Sequence, residues 1–116
     1  MKKGIADYER KWNWLWYKQY ARCGITGELM RSDHKVDMHH VLPNTKVNWR
    51  LYPHYLDSVW NLMLVLHDRH MVGALPRKKQ EMFIQVAEMI LQKYGDEIPY
   101  HMTAEEARKK YVMELA

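Results

Sequence analysis

Apolar and polar positions follow two periods along this chain, and the changes from one to the other mark out its elements. Residues 5 to 22 lack Gly and Pro, and Tyr8, Trp12, Leu15, Trp16 and Tyr20 recur at three- and four-residue spacing, which predicts an amphipathic helix. Trp12, Trp14 and Trp16 also stand at the two-residue period of a strand, but the length without a breaker favours the helix. Its aromatic stripe is the kind that faces a core, leaving Lys11, Lys18 and Arg22 as a solvated basic edge. The competing use of those cations is contact with a phosphate backbone, with the neighbouring rings near the bases.

Beyond this helix, Gly24 and Gly27 bracket a turn that opens a short hairpin. Residues 35 to 42, KVDMHHVL, alternate loosely and end at Pro43-Asn44, which predicts a strand and then a loop. From Pro43 to Ser58 no period is sustained, and a loop of that length within a compact domain is usually functional or mobile. Its Lys46, Trp49, Arg50, Tyr52 and His54 suit a grip on nucleic acid, or else a solvated loop with its aromatics folded inward. Leu62 to Leu66 is an apolar run of strand length, after which Asp68 is placed to cap a short helix that begins around Arg69 and holds His70. Gly73 breaks the chain and Pro76 opens a further helix. There Lys79, Met82, Phe83, Val86, Met89, Ile90 and Tyr94 keep helical spacing until Gly95. Thr103-Ala-Glu-Glu106 has the form of a capping box, starting a last helix that runs to about Leu115.

Composition narrows the class. At 116 residues the chain reads as a single domain, 1–116, and 47% hydrophobic content excludes wholesale disorder. No apolar run approaches the roughly 20 residues that cross a bilayer, and no apolar stretch follows the basic residues of the N-terminus as it would in a secretory signal. The single cysteine, Cys23, forms no internal disulfide, so the expectation is a soluble protein of the reducing cytoplasm. A net charge of +4 and a pI near 9.2 give mild support for a polyanionic partner.

The chemistry concentrates between Asp37 and Met71, where His39 and His40 stand together, Asn61 follows, and His70 closes the stretch. Neutral imidazole binds zinc-like ions and is the side chain that titrates nearest neutrality. A metal-dependent phosphodiesterase needs both properties: an ion to polarise the phosphate and a base to activate water. Adjacent residues of an ideal strand point to opposite faces, so either the backbone departs from strand geometry near His40 or the phosphate sits between the two rings. His34, His54, His67 and His101 read as surface or satisfied histidines. Arg69 is placed to stabilise phosphate charge, or simply to lie in solvent. Arg77, Lys78 and Lys79 at a helix start oppose the dipole preference and read as a solvated basic face.

The order HHVLP, then W-N-L, then a histidine nine residues after the asparagine resembles the HNH endonuclease family. The resemblance covers roughly residues 23 to 73 and implies an α+β fold. Its ββα-metal core spans 23–73, flanked by an N-terminal helix over 1–22 and two C-terminal helices over 74–116. It implies that His39 and His70 bind one divalent ion (Mg²⁺, Mn²⁺, Ni²⁺ or Zn²⁺) and that His40 is the general base. Asn61 either supports the active-site loop or reaches the metal. Many members also carry a structural zinc held by two CxxC pairs; here Thr26, Leu66 and Arg69 stand where three of those cysteines would be, so no structural zinc is expected. The 21-residue spacing from His40 to Asn61 is long for compact members and implies an inserted loop. The implied activity is hydrolysis of DNA phosphodiester bonds, double-stranded DNA being the partner and Lys46, Arg50 and Arg69 the candidate contacts. A catalytically inactive nucleic-acid-binding or regulatory module on the same fold is the alternative. Small stand-alone relatives of this kind are frequently phage-encoded, some acting beside DNA-packaging machinery, which would place the protein in a host cytoplasm.

Overall fold

The computed structural model describes residues 5–69 and 81–115, with side chains described for 7–68 and 81–112. The expectations at His70, Gly73, Pro76, Arg77, Lys78 and Lys79 lie outside the described residues. The fold is mixed α+β, with four helices and a two-stranded antiparallel sheet among those residues. The chain divides into two compact units, one of Met1–His39 with Leu62–Ala74 and the other of His40–Asn61 with Leu75–Ala116.

In the first unit, helix α1 (Ile5–Lys18) packs on strand β2 (Leu62–Leu66), which pairs with β1 (Val36–His40). The apolar run of β2 is explained by its burial: Leu64 and Val65 are wholly inaccessible, as a strand covered on both faces requires. Helix α1 stops at Lys18, short of Arg22, because Tyr20 and Ala21 take the left-handed conformation (φ 54° and 56°). No glycine marks this turn. The Gln19 side chain holds it instead: its amide donates to Leu64 O at 2.9 Å, and its Oε1 accepts from Leu64 N at 2.8 Å. Ala21 N–H closes back on Trp16 O at 2.9 Å.

The α1 stripe turns inward only in its middle, where Trp12 and Trp16 are half-buried beside Leu15. Leu15 is buried, but Tyr8 and Tyr20 are exposed, at 51% and 82%. Lys11, expected on a solvated edge or against phosphate, is buried and paired with Asp7 at 3.2 Å. A lysine stem covers apolar surface well, and an aspartate one helical turn away completes the pair. Lys18 lies 5.6 Å over the Trp14 ring, and Arg22 donates to Gly27 O. The turn after α1 forms as expected, with an antiparallel bridge between Arg22 and Leu29 and Gly27 at φ +77°.

In the second unit, the stretch from Pro43 to Ser58 contains a helix that its sequence did not reveal, α2 (Lys46–Leu51). Thr45 caps it by accepting from Asn48 N at 3.2 Å. Six residues are too few to establish a period, and the anchoring side chains come after the helix ends. Tyr52, Tyr55 and Leu56 join Leu42 and the α3 residues Ile84, Ala87 and Leu91 in one core, with Trp60 and Phe83 against it. Helix α3 (Glu81–Tyr94) ends at Gly95 (φ +84°), whose N–H bonds Leu91 O, as the sequence implies. Its buried face is Ile84, Ala87, Ile90 and Leu91, whereas Met82 and Met89, which share the helical spacing, are exposed. Helix α4 (Ala104–Leu115) starts at the expected cap, Thr103 Oγ1 accepting from Glu106 N at 3.1 Å. It packs on α3, with Ala107 fully buried and the Tyr94 and Tyr111 rings 4.2 Å apart.

Candidate active site

Asn61 is wholly inaccessible, and every polar atom of its side chain is engaged. Oδ1 accepts from Leu42 N at 2.7 Å, while Nδ2 donates to Leu42 O at 3.3 Å and to Leu56 O at 2.8 Å. Its backbone adds two more bonds, Asn61 N to Ser58 O and Val41 N to Asn61 O, both 2.9 Å. One amide therefore joins the two ends of the 42–61 segment, reproducing the donor and acceptor pattern of a neighbouring strand at a point where the ladder stops. Of the two roles the resemblance implies for this asparagine, the geometry matches the loop support: a ligand role would break the short bond to Leu42.

His39 and His40 are the last two residues of β1, both half-buried. The chain leaves regular strand geometry immediately after His40, at the residue where the Asn61 clamp begins. The Nε2 atom of His40 is sealed from solvent and makes no hydrogen bond, and Asp57 Oδ1 lies 3.5 Å from it, outside good hydrogen-bond alignment. Asp57 belongs to the inserted segment and carries 45% side-chain exposure.

Among the remaining candidates, Lys46, Trp49 and Arg50 are exposed on α2, where the Trp49 indole N–H bonds Asn44 Oδ1. Tyr52 is buried, so the aromatics of this segment divide between core and surface. The His54 and Tyr55 backbone N–H groups are held by the Glu88 carboxylate of α3, at 3.0 and 2.6 Å to Oε2. Burial raises the Tyr55 phenol to about 12. Arg69 closes the 3₁₀ turn His67–Arg69 and Asp68 lies within it; the Arg69 side chain and all of His70 lie outside the described residues. In the first unit, His67 Nδ1 sits 2.7 Å from Asp37 Oδ2, so His67 has a carboxylate partner.

Cys23 is buried and its sulfur accepts from Leu66 N at 3.4 Å. Burial pushes its thiol up, but hydrogen bonds from the Thr26 side chain and from backbone groups of Leu66, Thr26 and Ile25 outweigh that and leave it below its ordinary value. Thr26 and Leu66, two of the positions where the resemblance would place zinc cysteines, thus hydrogen-bond the sulfur. A cleft of about 530 Å³ in the first unit is lined by Trp12, Asn13, Trp16, Arg31, Ser32, His34 and Val36, none of them a residue the sequence assigns to chemistry.

Among the described residues, no three His, Cys, Asp or Glu side chains are grouped to hold a metal ion. Asn61 is engaged internally; of the two histidines that the resemblance implies as metal ligands, His39 lies in β1 and His70 lies outside the described residues. Two imidazoles, with the remaining positions left to water and phosphate oxygens, would suit a catalytic ion better than a closed structural one. The chain matches no protein-family model, no curated protein and no solved structure.

Reading the sequence missed two residues of this region. Asp57 stands 17 positions after His40 in an aperiodic stretch, and only the folded segment brings its carboxylate near the imidazole. Glu88 occupies a helix position indistinguishable from a solvated one, although it fixes the turn at His54–Tyr55.

Proposed function

We propose that this protein is a divalent-metal-dependent endonuclease of the HNH type, hydrolysing DNA phosphodiester bonds. The observation that carries the reading is the relation of His40 to Asn61: an imidazole at the end of β1, followed at once by a segment that a fully buried asparagine amide closes. A buried amide with three side-chain hydrogen bonds holds its surroundings far more firmly than a surface asparagine, and a general base needs such a fixed position.

His39 and His70 would hold the ion, which when bound polarises the scissile phosphate and stabilises the departing oxygen. His40 accepts a proton from water as the water oxygen attacks phosphorus in line. The bond from phosphorus to the 3′ oxygen breaks, and that oxygen takes a proton from solvent, leaving a 3′ hydroxyl and a 5′ phosphate. Lys46 and Arg50 on α2, with Arg69 beside His70 in sequence, provide cations for backbone phosphates. Such contacts give weak sequence preference and strong salt dependence. Double-stranded DNA is the substrate class, and a phage protein working beside packaging machinery in a host cytoplasm is the setting this reading carries over from the resemblance. No helix among the described residues is long and apolar enough to cross a membrane.

Supercoiled plasmid incubated with the protein and Mg²⁺, Mn²⁺ or Ni²⁺ tests the proposal. Nicked or linear product that EDTA abolishes is the expected result. DNA binding without cleavage under any of these ions would refute it and assign the inactive binding or regulatory module instead.

A further inference from the structure

We propose that Asp57 is the positioning residue for His40: its carboxylate accepts from Nε2–H, fixing the tautomer that leaves Nδ1 as the proton acceptor. The catalytic consequence rests on the endonuclease reading above; the pairing of the two side chains does not.

Nε2 of His40 is sealed from solvent, so an attacking water has no access to it, and the nitrogen left to act as base is Nδ1. A neutral imidazole with its lone pair on Nδ1 carries its proton on Nε2, and that proton points into a region where Asp57 Oδ1 stands 3.5 Å away. The separation exceeds a formed hydrogen bond, but bonds between catalytic groups are often long before substrate binds and shorten in the productive complex. A small rotation of the ring or the carboxylate closes it.

Asp57 is also held from both sides. Leu56 before it is fully buried, and its carbonyl accepts from Asn61 Nδ2 at 2.8 Å. Ser58 after it is buried, with its N–H on Tyr55 O at 3.0 Å and its carbonyl taking Asn61 N–H at 2.9 Å. Asn61 therefore clamps the backbone on each side of the carboxylate as well as Leu42, two residues beyond the imidazole. The inserted segment thereby acquires a purpose: it carries an anion to the inner nitrogen of the base. With the Asp57 carboxylate 45% exposed, the pair by itself adds little to stability, which separates a positioning role from a structural one.

The test compares the full-length protein with Asp57→Ala, Asp57→Asn, His40→Ala and His40→Ala/Asp57→Ala in plasmid nicking with Mn²⁺, alongside thermal melting. Asp57→Ala should lower kcat about ten- to a hundredfold, as loss of an orienting partner does, with KM unchanged within about twofold. Asp57→Asn, which keeps an acceptor oxygen, should fall between. In the His40→Ala background, removing Asp57 should change the residual rate by less than about twofold, because groups acting as one unit are not additive. Wild-type kcat in Asp57→Ala, or an equal fold loss in both backgrounds, overturns the proposal. If the wild-type protein fails to nick DNA, the endonuclease reading falls separately. The imidazole ¹⁵N spectrum then decides the pairing: an Nε2–H tautomer for His40 that is lost in Asp57→Ala supports it, and an identical tautomer in both proteins refutes it.

Discussion

Replacing Asn61 with alanine removes more than a side chain, because its amide ties together two backbone segments of the second unit, at Leu42 and at Leu56. Three side-chain hydrogen bonds disappear, to Leu42 N, Leu42 O and Leu56 O. Each has a net worth of about 1 kcal/mol, and the Leu42 N–H is left buried without its acceptor at a further cost of about 1–3 kcal/mol. The expected destabilisation is about 4–6 kcal/mol, a large share of the roughly 5–15 kcal/mol that domains possess. Asn61→Asp refines the test. One carboxylate oxygen would keep the Leu42 N–H, but the other would face the carbonyl oxygens of Leu42 and Leu56, a contact that is favourable only when the acid is protonated. The folded state therefore raises the aspartate pKa. The variant should lie nearest wild type below about pH 4, the ordinary aspartate value, and lose stability relative to it as pH rises. Urea unfolding at pH 4 and pH 7 measures both effects. Asn61→Ala within about 1 kcal/mol of wild type, or an Asn61→Asp penalty independent of pH, would refute the clamp.

Two further outcomes follow from the same unit. The folded Tyr55 phenol titrates at about 12 because it is buried, against about 10 unfolded. Its stability contribution is thus fully present below about pH 10 and is lost as pH rises through about 12, roughly 3 kcal/mol in all. Tyr55→Phe should flatten that alkaline loss in urea titrations while costing under about 1 kcal/mol at neutral pH, since the hydroxyl bond lost among the described residues is the long one, 3.5 Å, to Trp60 O; parallel alkaline curves would count against it. Lys46→Ala and Arg50→Ala, both on the exposed face of α2, should each weaken DNA binding similarly on unrelated sequences. Each should also reduce the slope of log affinity against log salt by about 1, whereas unchanged slopes would remove α2 from the interface.

What the sequence revealed follows from how local each feature is. The apolar run Leu62–Leu66, the glycine stop at Gly95 and the Thr103 cap are each decided by a few neighbouring residues, and all three occur in the structure where the sequence puts them. The end of α1 was not legible: Tyr20 and Ala21 adopt positive φ without the glycine that usually announces it, held by Gln19 bonds to a strand 45 residues away. Helix α2 escaped detection because six residues carry no period and its anchors, Tyr52, Tyr55 and Leu56, read as an irregular polar-aromatic mixture. The exposed Met82 and buried Ala87 of α3 show the same limit, since a spacing fixes a helix but leaves open which of two adjacent stripes meets the core. Within the candidate site, residue types and order suggested His39, His40 and Asn61. The clamp around Asn61 and the approach of Asp57 to His40 are tertiary facts with no signature in the chain.

The central claim, that His40 is the base of a metal-dependent phosphodiesterase, is tested most directly by single-turnover nicking of supercoiled plasmid with Mn²⁺, comparing wild-type protein and His40→Ala at saturating enzyme. The account predicts metal-dependent nicking by the wild type and a rate about 10²- to 10⁴-fold lower in the variant, the range a general base contributes, with DNA affinity retained. Nicking by His40→Ala at the wild-type rate would contradict it.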